Sequence, residues 1–331
     1  MEIVMLLLNS CMNIPWQKIT QFGQQTMLDM DLFNVSWILG RFCNYKCSYC
    51  WPYARSDEQD YQDYSTYTCA IDQIKQQARQ NGFTRFHWSF SGGEPTAYRQ
   101  FLDLIKYLDD GEQTPYQSIH MTTNLSPGKK WWKTWSNHTG LLQRRSITAS
   151  FHAEFATEQE FTDKCLQLIN DGIFVTVNQV MIPDKFFETH ERLQRLHQRG
   201  INVTMKPQSD PTASHIINGY TDEMVTLMQV GFPQTVDNEE LYQIRLSDGA
   251  KNYYLDQAER FNAFEFNQFS HWTCNSGYQS VIIRGNEVKR GYSCHDVPLG
   301  TLDKFELFTS PKLCSTPTCV SSADSKIPKC K

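Results

Sequence analysis

The chain has no run of eighteen apolar residues, so no transmembrane helix is expected. Basic charge is not in excess either: 31 Lys and Arg stand against 36 Asp and Glu, a net charge of -5. A nucleic-acid binder needs a basic patch, so neither nucleic acid nor a membrane is expected as a partner. The opening "MEIVMLLLNSC" lacks a basic n-region, carries Glu2 and has too short an apolar run for an export signal. Internal repeats and low-complexity tracts are missing too. That leaves 331 residues for one large domain, or for a core with an appendage.

Cysteine, by contrast, is plentiful. The eleven are Cys11, Cys43, Cys47, Cys50, Cys69, Cys165, Cys274, Cys294, Cys314, Cys319 and Cys330. An odd total with uneven spacing suits a disulfide framework poorly. Eight of them fall in two groups, one near the start and one in the last sixty residues, which in a reducing compartment reads as metal ligation. Cys69 and Cys165 lie in expected helices beside apolar residues and read as buried small hydrophobes.

Between residues 34 and 232 strand-like and helix-like segments alternate. Apolar, β-branched runs occur at "NVSWILG", "RFHWSF", "SIHMTT", "SITASF", "FVTVNQVM" and "NVTMK". Amphipathic stretches between them end at Gly82, Gly111, Gly172 and Gly200, the left-handed cap expected after a helix. About six β-then-α units imply an α/β fold, a partial (β/α)6 barrel whose chemistry gathers at the carboxyl ends of the strands. Residues 1–33 read as an N-terminal extension and 233–270 as a bridge rich in Phe, Tyr, Asn and Gln. Residues 271–331 read as a small, loop-rich, Cys-rich domain with a hairpin at "SVIIRGNEVKRGY", stapled by its five cysteines.

The stretch "CNYKCSYC", Cys43 to Cys50, directly follows the first expected strand. Iron–sulfur clusters normally take four thiolates, so three leave one iron open for a substrate or cofactor. After the second strand comes Ser91-Gly92-Gly93-Glu94-Pro95, where glycines let the chain approach a ligand without a Cβ in the way. With these two motifs the sequence resembles the radical S-adenosylmethionine superfamily. The resemblance implies that Cys43, Cys47 and Cys50 ligate a [4Fe–4S] cluster and that Tyr49 lies beside the adenine of S-adenosylmethionine. It implies that Gly92, Gly93 and Glu94 hold the methionine amine. It also implies that the cofactor is cleaved reductively to a 5′-deoxyadenosyl radical, which abstracts a substrate hydrogen. Asn124 at the third strand end and Ser150 at the fourth match cofactor-contacting positions, and His152, continuing that motif, is the candidate catalytic residue. Asn178, Lys206 and Gln208 are further polar residues at strand ends.

Nineteen residues separate Cys274 from Cys294 and nineteen more separate Cys294 from Cys314; four then precede Cys319 and ten precede Cys330. Two cysteines flanking a hairpin with a central Gly285, followed by Leu299-Gly300, resemble the opening of a SPASM or twitch domain. The seven-cysteine SPASM set is incomplete. Five cysteines close one four-thiolate site, so one auxiliary [4Fe–4S] cluster is implied, on Cys274, Cys294, Cys314 and either Cys319 or Cys330. A structural zinc is the alternative occupant. The resemblance further implies a flavodoxin- or ferredoxin-type electron donor and, because oxygen destroys such clusters, a cytoplasmic location.

The substrate is a peptide or a small molecule. Relatives with such domain pairs oxidise or cross-link peptide side chains, and the bridge "YYLDQAERFNAFEFNQF" is rich in aromatics. Only some thirty residues precede the barrel, too few for a winged-helix peptide-recognition module. That shortness favours the alternative, oxidation or rearrangement of a sugar alcohol or nucleoside. Viperin-like nucleotide modification shares a "CNYKC" look. The C-terminal cysteines and the want of a triphosphate-binding basic cluster count against it.

Overall fold

The structure, a computed structural model, describes residues 14–24, 31–108, 111, 117–212, 215–233, 244–255, 267–294, 298–319, 321, 324 and 327–331. Cys11, the opening "MEIVMLLLNSC" and residues 256–266 of the aromatic bridge lie outside the described residues. The chain forms two compact units. One gathers residues from 1–37, 65–87 and 238–331, the other from 38–64 and 88–237.

In chain order β1 (Gln21–Gln24) precedes β2 (Leu32–Ile38), α1 (Tyr64–Gln80), β3 (Arg85–Ser91), α2 (Phe101–Tyr107), β4 (Gln117–Thr123) and α3 (Lys129–His138). Next come β5 (Arg144–Ser150), α4 (Glu158–Asn170), β6 (Phe174–Met181), α5 (Phe186–Gln198), β7 (Asn202–Pro207) and α6 (Asp222–Val230). The strands β2 to β7, each followed by a helix, are the open (β/α)6 arrangement expected from the alternation of segments.

In the second unit β4, β5, β6 and β7 pair in parallel, and the register sets Ser150 opposite Asn178 and Asn178 opposite Thr204. The carboxyl ends of β4 and β5 therefore lie nearly level, and β6 and β7 run on together past them to Met181 and Pro207. Burial alternates along β6, whose inward Val175, Val177 and Met181 are almost fully enclosed. Helix α4 shows why the flanking segments coil. Thr157 caps it by accepting from the Glu160 amide, Glu158 and Glu160 complement its N-terminal dipole, and Phe161, Cys165 and Leu168 form its buried stripe. Trp88 of β3 donates from Nε1 to Gln117 Oε1 at 2.8 Å, and Gln117 Nε2 donates to the Leu108 carbonyl at 2.6 Å. A buried indole and a buried amide thus satisfy each other.

The first unit contains β2 and α1 together with the C-terminal strands: β8 (Ile244–Ser247), β9 (Asn252–Leu255), β10 (Thr273–Cys274), β11 (Ser280–Arg284) and β12 (Glu287–Lys289). It also contains β13 (Gly300–Thr301), β14 (Lys304–Phe305), β15 (Lys312–Leu313) and β16 (Lys329–Cys330). The expected hairpin is there: β11 and β12 pair antiparallel around Gly285, whose φ is +59°. A second sheet runs β15-β10-β16-β1-β8-β9 and covers a core of Ile19, Phe22, Ile244, Leu246, Phe269, Trp272 and Cys319. Residues 21–24 are therefore a central strand of the C-terminal sheet.

Helices α3 and α6 had no counterpart among the expected amphipathic stretches. The buried side of α3 rests on Trp132, Trp135 and Ser136, and α6 buries only Met224, so neither displays an apolar stripe of ordinary width. Cys165 is buried as expected, but Cys69 is exposed on α1. No helix among the described residues is long and apolar enough to cross a membrane.

Candidate active site

The cysteine loop is bound on two sides within the second unit. On one side, the backbone continues the strand ladder past the strand ends. Leu39 N donates to the Ser91 carbonyl (3.1 Å), Gly93 N to the Gly40 carbonyl (2.9 Å) and Glu94 N to the Phe42 carbonyl (2.8 Å). This approach explains the glycine pair. A Cβ on Gly92, whose φ is +133°, would stand 2.3 Å from the Gly40 carbonyl oxygen, and one on Gly93 would stand 2.1 Å from that of Phe42. The backbone that passes without a Cβ in the way is the cysteine loop itself, a nearer neighbour than the ligand expected there.

On the other side, Asp60 gathers the start of the loop. Its carboxylate accepts from Arg41 N at 2.7 Å and 3.0 Å and from Phe42 N at 3.0 Å. The Tyr61 hydroxyl donates to the Glu94 carbonyl at 2.9 Å, tying the same segment to the glycine motif. Farther along, Glu154 accepts from Ser48 N at 2.9 Å and from Ser48 Oγ at 2.5 Å. Residue 154 follows β5, so the loop's centre is anchored to the fourth strand end of the barrel.

Glu94 is 1% exposed. Its Oε1 accepts from Thr96 N (3.0 Å), Thr96 Oγ1 (2.6 Å) and Thr123 Oγ1 (2.8 Å), and its Oε2 accepts from Asn124 N (2.6 Å). Burial raises the carboxyl's pKa and these donors oppose the rise. Three of the four donors crowd Oε1. A carboxylate oxygen accepts about two bonds, so Oε2 keeps capacity for a ligand donor. Asn124, nearly buried, donates to Asn44 Oδ1 at 3.0 Å and stands 3.9 Å from Cys43 Sγ, which links β4 to the cysteine loop.

Tyr49 and His152 meet directly: the hydroxyl lies 2.7 Å from Nδ1, and the rings stack with centroids 5.9 Å apart. Tyr45 packs at a right angle to the imidazole with centroids 6.0 Å apart and stacks on Phe155 at 4.8 Å. Burial lowers the His152 pKa from 6.5 to about 4, against the opposing pull of Glu154, so the imidazole is neutral near pH 7. Ser150, the last residue of β5, sits beside Asn178 within β6, and Asn178 Oδ1 accepts from Thr204 Oγ1. Gln208 N donates to the Tyr220 hydroxyl at 2.7 Å, and Lys206 is half-buried beside it.

Cys43, Cys47 and Cys50 are free thiols. Burial raises all three pKa values, that of Cys47 to about 12, and Cys47 is raised further by the charges of Cys43, Glu154 and Cys50. Three thiols whose ionisation burial disfavours suit a cationic iron–sulfur unit that takes all three as thiolates. The donor set fits the cluster that the motif implies. Among the described residues, no three His, Cys, Asp or Glu side chains converge tightly enough for a single metal ion. A cubane presents a separate iron to each thiolate, so its ligands stand apart.

The C-terminal cysteines lie in the first unit. Cys274 and Cys319 are buried, Cys294 and Cys314 half-buried, and Cys330 exposed. Burial pushes Cys294 up to about 11 and Cys319 up to about 12. Sequence reading did not single out Asp60, Tyr61, Thr96, Thr123, Ser48 or Glu154. Except for Thr96, whose partner Glu94 is two residues away, their partners lie on other segments; Ser48 stood inside "CNYKCSYC" and Thr123 inside "SIHMTT", but their residue types alone gave no sign of these bonds.

Residues 37–141 match the family described as the radical SAM superfamily. Among solved structures the chain is similar to polyhistidine-tagged anSMEcpe with bound AdoMet, at 12% identity and a TM-score of 0.50, covering 83% of this chain and 78% of that one. It is also similar to native anSMEcpe with bound AdoMet and Cp18Cys peptide, at 10% identity and a TM-score of 0.53, with 83% and 78% covered. At such identities the likeness is one of fold. No curated protein matches the sequence at a significant level.

Proposed function

We propose that this chain, whose residues 37–141 match the radical SAM superfamily, is an enzyme of S-adenosylmethionine and a [4Fe–4S] cluster that oxidises or cross-links a peptide or protein side chain. In this reading Cys43, Cys47 and Cys50 hold the cluster. Tyr49, Gly92, Gly93, Glu94, Asn124 and Ser150 line the cofactor, and the C-terminal cysteines carry an auxiliary cluster. The functional division into a core over 34–232 and a cluster domain over 271–331 belongs to the same proposal. When bound, the reduced cluster and S-adenosylmethionine supply methionine and a 5′-deoxyadenosyl radical that takes a substrate hydrogen.

One observation carries this reading: the backbone of Gly92, Gly93 and Glu94 is laced to residues 40–42, so thiols and carboxylate are fixed against each other before any ligand arrives. The residues around them each do one thing. Asp60 and Glu154 hold the loop's backbone, and Glu94 offers Oε2 to an ammonium donor. His152 keeps Tyr49 in place, so its expected catalytic role becomes one of positioning. A flavodoxin- or ferredoxin-type protein delivers the electron.

Peptide is favoured over other substrates by the aromatic side chains around the loop. Trp51, Tyr53 and Phe155 are 40%, 38% and 42% exposed, and Trp51 stacks on Tyr53 while donating to Ser209 Oγ at 2.9 Å. Rigid, exposed aromatics are what an extended peptide docks against. The similar anSMEcpe structure contains a peptide together with AdoMet. The alternative, a sugar alcohol or nucleoside, draws on the polar row Ser150, Asn178 and Thr204 that crosses β5, β6 and β7.

The test is anaerobic turnover with S-adenosylmethionine and reductant. Deuterated peptides are offered in one arm, deuterated sugar alcohols and nucleosides in the other. Deuterium in 5′-deoxyadenosine from the peptide arm supports the proposal. Transfer only from the small molecules replaces it with the alternative, and no 5′-deoxyadenosine in either arm removes both.

A further inference from the structure

Among the described non-glycine residues only Leu125 and His271 have a positive φ, and Leu125, at +55°, directly follows Asn124. The left-handed region crowds the Cβ of any L-residue, and Gly, Asn or Asp are its usual occupants. A leucine persists there only where its surroundings fix it. The turn is built on the pair that holds Glu94. Leu125 N donates to Thr123 Oγ1 at 3.1 Å, and the same hydroxyl donates to Glu94 Oε1. Ser126 N donates to Asn124 Oδ1 at 2.9 Å, while Asn124 Nδ2 reaches Asn44 and the Cys43 thiol. One reversed residue thus orients both groups that meet Glu94 and the cysteine loop.

What holds Leu125 comes from α4. Positions 161, 164, 165 and 168 form the buried stripe of that helix, and the second of them is a lysine. Lys164 Nζ donates to the buried Leu125 carbonyl at 3.0 Å. Its other partner is Glu160, one turn earlier on the same helix, 2.8 Å away and mostly exposed. An ion pair with so exposed a carboxylate forms equally well with the ammonium in water, and contributes little. Lysine is almost never buried without a partner that requires it, and here that partner is the carbonyl. Two more carbonyls of the segment are gripped nearby. Pro127 accepts from Trp132 Nε1 at 3.1 Å and Lys129 from Gln167 Nε2 at 3.2 Å. Those bonds secure the start of α3, whereas Lys164 reaches the reversed residue itself.

We propose that Lys164 is a positioning residue for S-adenosylmethionine binding, its ammonium holding Leu125 in the left-handed turn that sets Thr123 and Asn124 against Glu94 and the cysteine loop. This rests on the reading that Glu94 and Asn124 line the cofactor, and adds to it a residue that acts through Leu125. Without the ammonium the turn relaxes toward the regions that leucine prefers. The Asn124 amide then withdraws from Glu94 Oε2, and Asn124 Nδ2 turns off Asn44. The carboxylate and the thiol-bearing loop lose their common anchor.

The experiment measures S-adenosylmethionine affinity by anaerobic calorimetry on the reconstituted full chain, with urea unfolding of the iron-free chain alongside. Lys164→Met keeps the buried stem and removes the donor, and affinity is expected to fall about tenfold. Adding Leu125→Gly to that variant supplies a residue at ease in the left-handed region, and is expected to recover about threefold in affinity. The same double variant should unfold at a lower urea concentration than Lys164→Met, because a buried leucine is lost. A role in stability alone predicts a double variant weaker in both. If Lys164→Met is not recovered folded, Lys164→Gln, whose amide falls short of the carbonyl, takes its place. Single-variant affinity within about twofold of wild type, or no gain on adding Leu125→Gly, overturns the proposal and leaves the cofactor site standing. A wild-type chain that binds no S-adenosylmethionine overturns the site reading as well.

Discussion

The Tyr49 hydroxyl and His152 Nδ1 are 2.7 Å apart, joining the residue before the last cysteine of the loop to the residue two past the fourth barrel strand. A neutral imidazole locked to a tyrosine is a brace for the loop. Its protonation has a cost that depends on pH. Folding lowers the His152 pKa from 6.5 to about 4, chiefly by burial, so between those values the unfolded chain binds a proton that the folded chain refuses. Stability that is fully present above pH 6.5 is therefore lost as pH falls toward 4, at up to about 1.4 kcal/mol per pH unit. Urea unfolding of the iron-free protein at pH 7, 6 and 5 should show this slope in the wild type and a shallower one in His152→Gln. Equal slopes would contradict the assignment.

Removing the Glu94 carboxylate strands its donors. Glu94→Ala leaves Thr123 Oγ1 and Asn124 N without an acceptor in a buried place, and a loss of roughly 2–4 kcal/mol is expected. Glu94→Gln keeps the shape and one acceptor oxygen and should lose about half as much. Chemical denaturation separates the two variants; an Ala variant within ~0.5 kcal/mol of wild type would show that the carboxylate does not hold these strand ends.

Gly93→Ala drives a Cβ into the Phe42 carbonyl, so the cysteine loop must move away from the glycine motif. Iron bound at Cys43, Cys47 and Cys50 should fall by more than half while the C-terminal centre stays loaded. Gly128→Ala is the control: its φ is -71° and nothing lies within 4 Å of the added carbon. Equal iron in both variants would mean that the loop does not depend on this close approach.

Asp60→Ala removes the acceptor of the Arg41 and Phe42 amides. The Arg41 bond is exposed and the Phe42 bond only partly buried, so water can replace much of the carboxylate and a loss of only about 1 kcal/mol of stability is expected. S-adenosylmethionine affinity, measured by anaerobic calorimetry, should weaken about tenfold as the loop loosens. Unchanged affinity would place Asp60 outside the machinery of the site.

The barrel was legible because its six strands are apolar, β-branched runs of period two, and α1, α4 and α5 carry wide apolar stripes. Helix α3 escaped because its buried side is two tryptophans and a serine among lysines. The strand β1, "QFGQ", has no pattern of its own and is defined by its partners Ile244–Ser247 and Lys329–Cys330, more than two hundred residues away. The site divides in the same way. Cys43, Cys47, Cys50 and the glycine pair announce themselves by spacing, whereas Asp60, Glu154 and Lys164 act across the fold and leave no local trace. Even where the glycines were found, their nearest physical reason is the neighbouring loop backbone.

The central claim is that three thiols of one loop hold a cluster whose remaining iron binds S-adenosylmethionine. Low-temperature EPR of the dithionite-reduced, reconstituted protein, recorded without and with S-adenosylmethionine, tests it most directly. The predicted result is a [4Fe–4S] signal whose g-values shift on addition, a shift absent from the protein carrying Ala at positions 43, 47 and 50. A cluster signal that the cofactor leaves unchanged in the wild type would contradict the account.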